Sequence, residues 1–184
     1  MSESKGNQEF DLHSHTEVAN LRPLYFENVS YSPEQAVLIA KDKGLDGIAV
    51  SDHDSIRGLD QALNAAAKHG LIVVPGVEIT SWEKTRFPHI LVLGLNPELV
   101  KDHPLPTLRH PETVIKWAHD QGAIAIAAHP TEQGDGSIFT LSPDKIKEYQ
   151  SLLDGIETAN TFWPSWENKS AQDLACQLGL PRTG

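Results

Sequence analysis

Cysteine is almost absent: Cys176 is the single one among 184 residues. No intrachain disulfide can form, and the cysteine-rich ligand set of a structural zinc site is excluded. A reducing, cytoplasmic address is the expectation. Basic charge is also scarce. Lys and Arg total 15 against 25 Asp and Glu, a formal net charge of −10. A protein that binds duplex nucleic acid carries a basic stripe, and none is present. The acidity leaves phosphorylated ligands open, because bound cations supply a positive field locally. No apolar run is long enough to span a membrane. The opening residues, MSESKGNQEF, lack the apolar centre of a signal peptide. Internal repeats and low-complexity linkers are missing too. The four tryptophans mark no binding face, apart from Trp163 and Trp166 in TFWPSW, a pair able to wall a cleft.

What is present is an ordinary globular composition, 39% hydrophobic, in a chain of one-domain length. Short apolar runs alternate with helical patterns. Strands are predicted at 9–13, 45–53, 71–80, 89–95, 123–129 and 155–160. Helices are predicted at 32–44, 56–70, 110–122, 142–153 and 167–179. Ser32 suits an N-cap, Pro33 the first helical turn, and Gly44 and Gly70 the helix ends. Continuous apolar strands separated by amphipathic helices predict an α/β fold with a mostly parallel sheet. Polar residues recurring at strand ends favour a barrel. Segments 17–31, 96–109 and 131–141 are the least regular, and loops of that length are often functional. Cys176, on a helical pattern, is expected in the core.

The polar residues at the strand ends carry the chemistry. EFDLHSHT delivers His13 and His15, with alternation placing Phe10 and Leu12 on one face and Asp11, His13 and His15 on the other. SDHD places His53 after the second strand, PGVEIT ends in Glu78, and AIAIAAHP delivers His129 after an apolar run. GIETAN carries Glu157 and Asn160. In parallel barrels the loops at the strand C-termini build the active site, so His13, His15, His53, Glu78 and His129 can converge. His89 stands at the start of its strand and requires an antiparallel strand or a strand-start position to join them. His69, His103, His110 and His119 lie on helices or loops and are expected at the surface. Imidazole suits Zn, Fe and Mn, while a carboxylate can bridge two ions. More than four candidate ligands of this mixed kind point to two or more ions, an arrangement that suits phosphoryl transfer.

The motifs DLHSHT, AVSDHD, PGVEIT, AIAAHP and GIETAN resemble, in order and spacing, those of the PHP domain, named for polymerase and histidinol phosphatase. The likeness runs over roughly residues 9–184 and is greatest to the small stand-alone metal-dependent phosphoesterases. It implies a distorted seven-stranded (β/α) barrel, TIM-like, with two or three divalent ions (Mn, Fe or Zn) and hydrolysis of phosphoesters by metal-activated water. It implies metal ligands at His13, His15, His53, Glu78, His89 and His129. Of these, His13, His15, Glu78 and His129 are the expected catalytic residues, with Asp11, Asp52 and Asp54 supporting the ligands. The family's aspartate after the first HxH is missing, leaving Asn20, Glu17 or Glu27 as substitutes. A GSDAH-like motif that completes the metal site is not found before Gly184, so the domain at 9–184 is expected to be incomplete at its C-terminal end, with 1–8 a flexible N-terminus. The expected substrate is a phosphorylated small molecule or nucleotide, with no membrane partner. Two alternatives stay open: an amidohydrolase-like enzyme acting on C–N bonds, and a non-catalytic metal-binding module.

Overall fold

Seven strands form one sheet in chain order: β1 (Phe10–Ser14), β2 (Gly47–Val50), β3 (Ile72–Thr80), β4 (His89–Leu93), β5 (Ile124–Ala127), β6 (Gly155–Glu157) and β7 (Arg182–Thr183). Among the described residues the helices with both ends in view are α1 (Pro33–Asp42), α2 (Leu59–His69), α3 (Pro97–Val100), α4 (Pro111–Asp120) and α5 (Ser165–Leu178), and residues 148–150 are helical as well. This computed structural model describes residues 8–19, 29–101, 104–132, 136–138 and 148–184. The expected flexible segment 1–8 lies outside the described residues except for Gln8. So do Asn20, Glu27, His103 and the first half of the expected helix 142–153.

The sheet is nearly closed into a barrel, as the sequence implied, but it is mixed. The pairs β1–β2, β2–β3, β5–β6 and β6–β7 are parallel. The pairs β3–β4 and β4–β5 are antiparallel. The cause is the connection 81–88, a hairpin too short for the crossover that parallel neighbours need. Reversal of β4 brings its first residue, His89, to the end of the barrel where β3 and β5 finish: Thr80 lies opposite His89 and Ala127 opposite Ile90.

Alternation along the strands sorts the core. Ile90 and Val92 of β4 pack outward against Val114, Ile115 and Ala118 of α4. Leu91 meets Ala49, Ile126 and Ala128 on the other face, with Leu12 and Val74 against them. Fully burying a side chain such as Ile90 or Ile115 contributes about 1.5–3 kcal/mol. Glu78 and Leu91 are register partners, so the Glu78 side chain shares the face of the interior apolar plug.

Local sequence explains the helices. Ser32 Oγ accepts from Gln35 N at 3.2 Å and Gln35 Oε1 accepts from Ser32 N at 2.8 Å, a reciprocal cap, with Pro33 in the first turn. Gly44 follows α1 at φ +80°, and the next amide, Leu45 N, reaches back to Ala40 O at 3.1 Å. Three features depart from expectation. Helix α3 and strand β7 are additional elements. Cys176 is exposed, because the buried stripe of α5 is Glu167, Ala171 and Ala175, and the next position turns away from it. Third, β1 does not alternate cleanly. Its pairing with β2 shifts between Asp11 and Ser14, so Leu12 packs in the interior while His13 reaches the site beside it. Among the described residues no helix is long and apolar enough to cross a membrane.

Candidate metal centre

Glu78 is fully buried, and its two carboxylate oxygens face different histidines. Oε2 lies 3.1 Å from His13 Nε2, 3.1 Å from His15 Nε2 and 3.2 Å from His53 Nδ1. Oε1 lies 3.0 Å from His89 Nδ1 and 3.0 Å from His129 Nε2. The five imidazoles close a ring around the carboxylate. Successive centroids are 4.9 Å apart for His13–His15, 4.5 Å for His15–His53, 5.1 Å for His53–His89, 5.1 Å for His89–His129 and 6.1 Å for His129–His13. All six side chains line one cavity of about 930 Å³.

The six side chains arrive from five successive strands or their ends. His13 is on β1, and His15 follows it. His53 sits past β2 and bridges β3 at Glu78 itself. The next residue, Asp54, has φ +49°, and its amide donates to Glu78 O at 2.9 Å. His89 opens β4. His129 follows β5 at φ +26°, a strained backbone for a residue with a Cβ.

Two further carboxylates hold the ligand histidines. Glu157 Oε1 lies 2.9 Å from His13 Nδ1, and its Oε2 accepts from the His129 backbone N–H at 2.7 Å. The second bond pins the strained residue. Glu132 Oε2 lies 2.8 Å from His129 Nδ1. Gly136 makes room for that pair: a Cβ there would stand 2.8 Å from Glu132 Oε2 and 3.0 Å from His129 Cε1. Its carbonyl also accepts from His89 N at 2.9 Å.

The aspartates expected to support the ligands mostly serve the loops. Asp52 takes Thr16 N at 2.5 Å and Thr16 Oγ1 at 2.8 Å. Asp54 takes Thr80 N at 3.0 Å and Thr107 Oγ1 at 2.8 Å. Asp11 lines the cavity and takes the backbone N–H of His13 at 3.1 Å. The ring partners are Glu157, noticed in the sequence only as a polar strand-end residue, and Glu132, whose single signal is its place three residues past His129. Glu17 is exposed, its backbone amide bonded to Tyr31 O. His110 and His119 are exposed as expected, and His69 is partly buried. Of the tryptophan pair, Trp163 lines the cavity, while Trp166 is 54% exposed and is not among its lining residues.

The electrostatics follow from one buried carboxylate among five imidazoles. Burial alone would raise Glu78, but the surrounding imidazoles, His53, His13 and His89 foremost, hold it well below the usual carboxylate range. Burial pulls His13 down, and the attraction of Glu78 and Glu157 outweighs it, leaving the imidazole well above its ordinary value. For His129, burial again lowers and Glu132 and Glu78 raise, with the result about 10. His53 goes the other way. Burial and the neighbouring histidines push it to about 3, so it is neutral near physiological pH. Burial raises Glu157, and His13 and His129 more than reverse that.

The donor set fits divalent cations. Imidazole nitrogens with carboxylate oxygens, and no thiolate, suit Zn, Fe and Mn. Within the triad His13, His15 and Glu78, and within His53, Glu78 and His89, the ligand atoms all lie within 4.8 Å of one another. Of the four expected catalytic residues, His13 and His15 face Glu78 Oε2, while His129 shares Oε1 with His89.

No protein-family model matches the chain. An uncharacterized protein of Methanocaldococcus jannaschii is 30% identical over 155 residues, 83% of this chain and 81% of that protein. A 5′-3′ exoribonuclease of Haemophilus influenzae is 35% identical over 101 residues, 54% of this chain and 32% of the exoribonuclease. Among solved structures, a candidate metal-dependent phosphoesterase of Bifidobacterium adolescentis superposes with a TM-score of 0.75 at 19% identity, covering 97% of this chain and 87% of that one. An amidohydrolase of Chromobacterium violaceum, solved with bound sulfate, gives 0.75 at 18% identity, over 95% and 85%. A two-domain protein of Bacteroides vulgatus, containing a predicted PHP-like metal-dependent phosphoesterase, gives 0.70 at 21% identity, over 95% of this chain and 50% of that one.

Proposed function

The chain belongs to the PHP family, and from that premise we propose that it is a metal-dependent hydrolase of phosphoesters, holding two or three divalent ions of the Mn, Fe or Zn kind. The observation that carries this reading is the division of Glu78, one oxygen toward His13, His15 and His53, the other toward His89 and His129. A carboxylate so placed would serve two cation positions at once. When bound, divalent ions supply Lewis acidity to the phosphoryl oxygens and activation of water near neutral pH.

The residues have distinct roles in this reading. Glu157 engages His13 at Nδ1 and Glu132 engages His129 at Nδ1, which leaves each Nε2 as the ligand atom facing Glu78. His53 needs no proton removed before it ligates. The apolar plug of Leu91, Leu93 and Ile126 closes the barrel beneath the site and keeps water out from below. The nucleophile is water. Cys176 is exposed on α5 and takes no part in the cavity lining. Trapping a phosphorylated side chain during turnover would contradict this.

The amidohydrolase reading is kept because a structural neighbour carries that description. Against it, the groups that meet Glu78 are all histidines, and Lys43 is the one lysine among the described cavity residues. A panel of phosphoesters and amides, assayed with metal-stripped protein and after loading with Mn, Fe or Zn, separates the readings. Phosphate release that depends on metal is the expected result. Amide hydrolysis without phosphate release would replace the proposal with the amidohydrolase reading. Metal binding without turnover of either class would leave a metal-binding module.

A further inference from the structure

The cavity extends well beyond the histidine ring. Its volume, about 930 Å³, lies at the upper end of the range of about 300–1,000 Å³ typical of small-molecule sites. Beyond the metal centre the lining turns aromatic and apolar, with Phe162 and Trp163 from the turn between β6 and α5, Phe87 from the β3–β4 hairpin, and Tyr31. Cationic groups are nearly missing. Lys43 is the sole Lys or Arg among the described lining residues, against Asp11, Glu78 and Glu132.

Phe162 and Trp163 form a track that starts at the metal centre. The Trp163 ring lies 6.0 Å from the His129 ring. The Phe162 ring stands edge-on to Trp163, with centroids 5.1 Å apart and planes at 85°. Phe162 is 70% exposed. Its turn is tied down. Asn160 Oδ1 accepts from Phe162 N at 2.9 Å. Asn168 exchanges two bonds with the Asn160 backbone, each of 3.0 Å. Asn160 Nδ2 donates to Glu157 Oε1 at 3.1 Å, the oxygen that also meets His13 Nδ1. The carboxylate that orients the ligand histidines therefore also positions the two rings. A large apolar ring held at the rim of a polar cavity, on a turn tethered at several points, is a preformed contact surface.

We propose that Phe162 and Trp163 are a stacking subsite for a planar aromatic ring carried by the leaving group of the phosphoester, with the base of a mononucleotide as the ligand class. The inference rests on the phosphoester reading above and adds to it the part of the substrate that the metal centre does not touch. Ring faces stack on any base and are sequence-tolerant. A long polyanionic strand is disfavoured, because a single lysine among the described lining residues and a net charge of −10 offer its backbone few phosphate contacts.

The test pairs kinetics with a binding measurement. Manganese-loaded protein is assayed on adenosine 5′-monophosphate, phenyl phosphate and glycerol 3-phosphate. Phe162→Ala is expected to lower the kcat/KM preference for adenosine monophosphate over glycerol phosphate by roughly 5- to 150-fold, the worth of one stacking contact. Trp166→Ala, outside the cavity lining, keeps the wild-type preference. A parallel loss on phenyl phosphate marks a subsite for any aryl ring; a loss confined to the nucleotide marks a base subsite. Separately, metal-stripped protein is titrated with adenosine, which has no phosphate. Quenching of tryptophan fluorescence in the wild type, lost in Trp163→Leu, is the expected result. An unchanged preference in Phe162→Ala together with no adenosine quenching would overturn the subsite. If the wild type hydrolyses none of the three esters, the phosphoester reading fails on its own, and the adenosine titration still decides the subsite.

Discussion

Glu157 Oε1 lies 2.9 Å from His13 Nδ1, and the other oxygen of the same carboxylate accepts the backbone N–H of His129 at 2.7 Å. One buried side chain thus couples the ends of β1 and β5. With Asn160 Nδ2 at 3.1 Å, three groups converge on its two oxygens. Glutamine at this position keeps the size but has one acceptor oxygen, and it turns an NH₂ toward groups that themselves donate. Glu157→Gln is predicted to keep the fold, weaken metal binding by about 10- to 100-fold, and, in the metal-loaded protein, change the His13 tautomer seen by ¹⁵N NMR. Wild-type affinity with an unchanged tautomer would show Glu157 to be structural only.

Glu78 is the shared ligand in this account. Glu78→Gln should lower the occupancy of every ion, whereas His89→Ala should spare the position served by Oε2. Metal counting by plasma mass spectrometry checks this, and equal metal content in wild type and Glu78→Gln contradicts it.

Metal binding should depend on pH in a predictable direction. In the metal-free protein His129 sits at about 10 and His13 well above its ordinary value, so both are protonated near neutrality. A cation must displace those protons, so affinity should rise with pH across that range. Calorimetry in buffers of different ionisation heat should report proton release. The metal-free fold should respond oppositely. A histidine raised from 6.5 to about 10 stabilises the fold fully below the lower value, and that contribution is lost as pH climbs through the higher one. The thermal midpoint of stripped protein should therefore fall on going from neutral to alkaline pH. Metal affinity that is flat with pH, without proton release, would refute the assignment.

Gly136→Ala is predicted to disturb the metal centre without replacing a ligand. The added Cβ would stand 2.8 Å from Glu132 Oε2 and 3.0 Å from His129 Cε1, so one of them must move. Metal affinity should drop, while the paired variant Gly136→Ala/Glu132→Ala should recover part of the loss of space. A single variant with wild-type metal affinity would show that the Glu132–His129 pair is slack.

The parallel part of the sheet was legible because apolar runs there end in chemistry: a parallel strand finishes at the mouth of the barrel, and His53 and His129 each follow one. His89 was ambiguous for the same reason. Its strand is as apolar as the others, and nothing in HILVL records direction; the short hairpin 81–88 does. Period-two reasoning misassigned Leu12 because the irregularity in β1 breaks the alternation. Glu157 was visible as a polar strand end, but telling a ligand from the partner of a ligand requires the distance to His13 Nδ1. Glu132 had no periodic signal at all, since it lies in an irregular loop. Trp163 and Trp166 looked equivalent in TFWPSW, and only the turn before α5 separates them, one into the cavity and one to solvent.

The central claim is that Glu78 divides its oxygens between two cation positions. Anomalous diffraction from manganese-loaded crystals tests it most directly. The account predicts separate peaks within coordination distance of Glu78 Oε1 and Glu78 Oε2, the first beside His89 and His129 and the second beside His13, His15 and His53. A single peak served by one oxygen, or no peak inside the histidine ring, would contradict it.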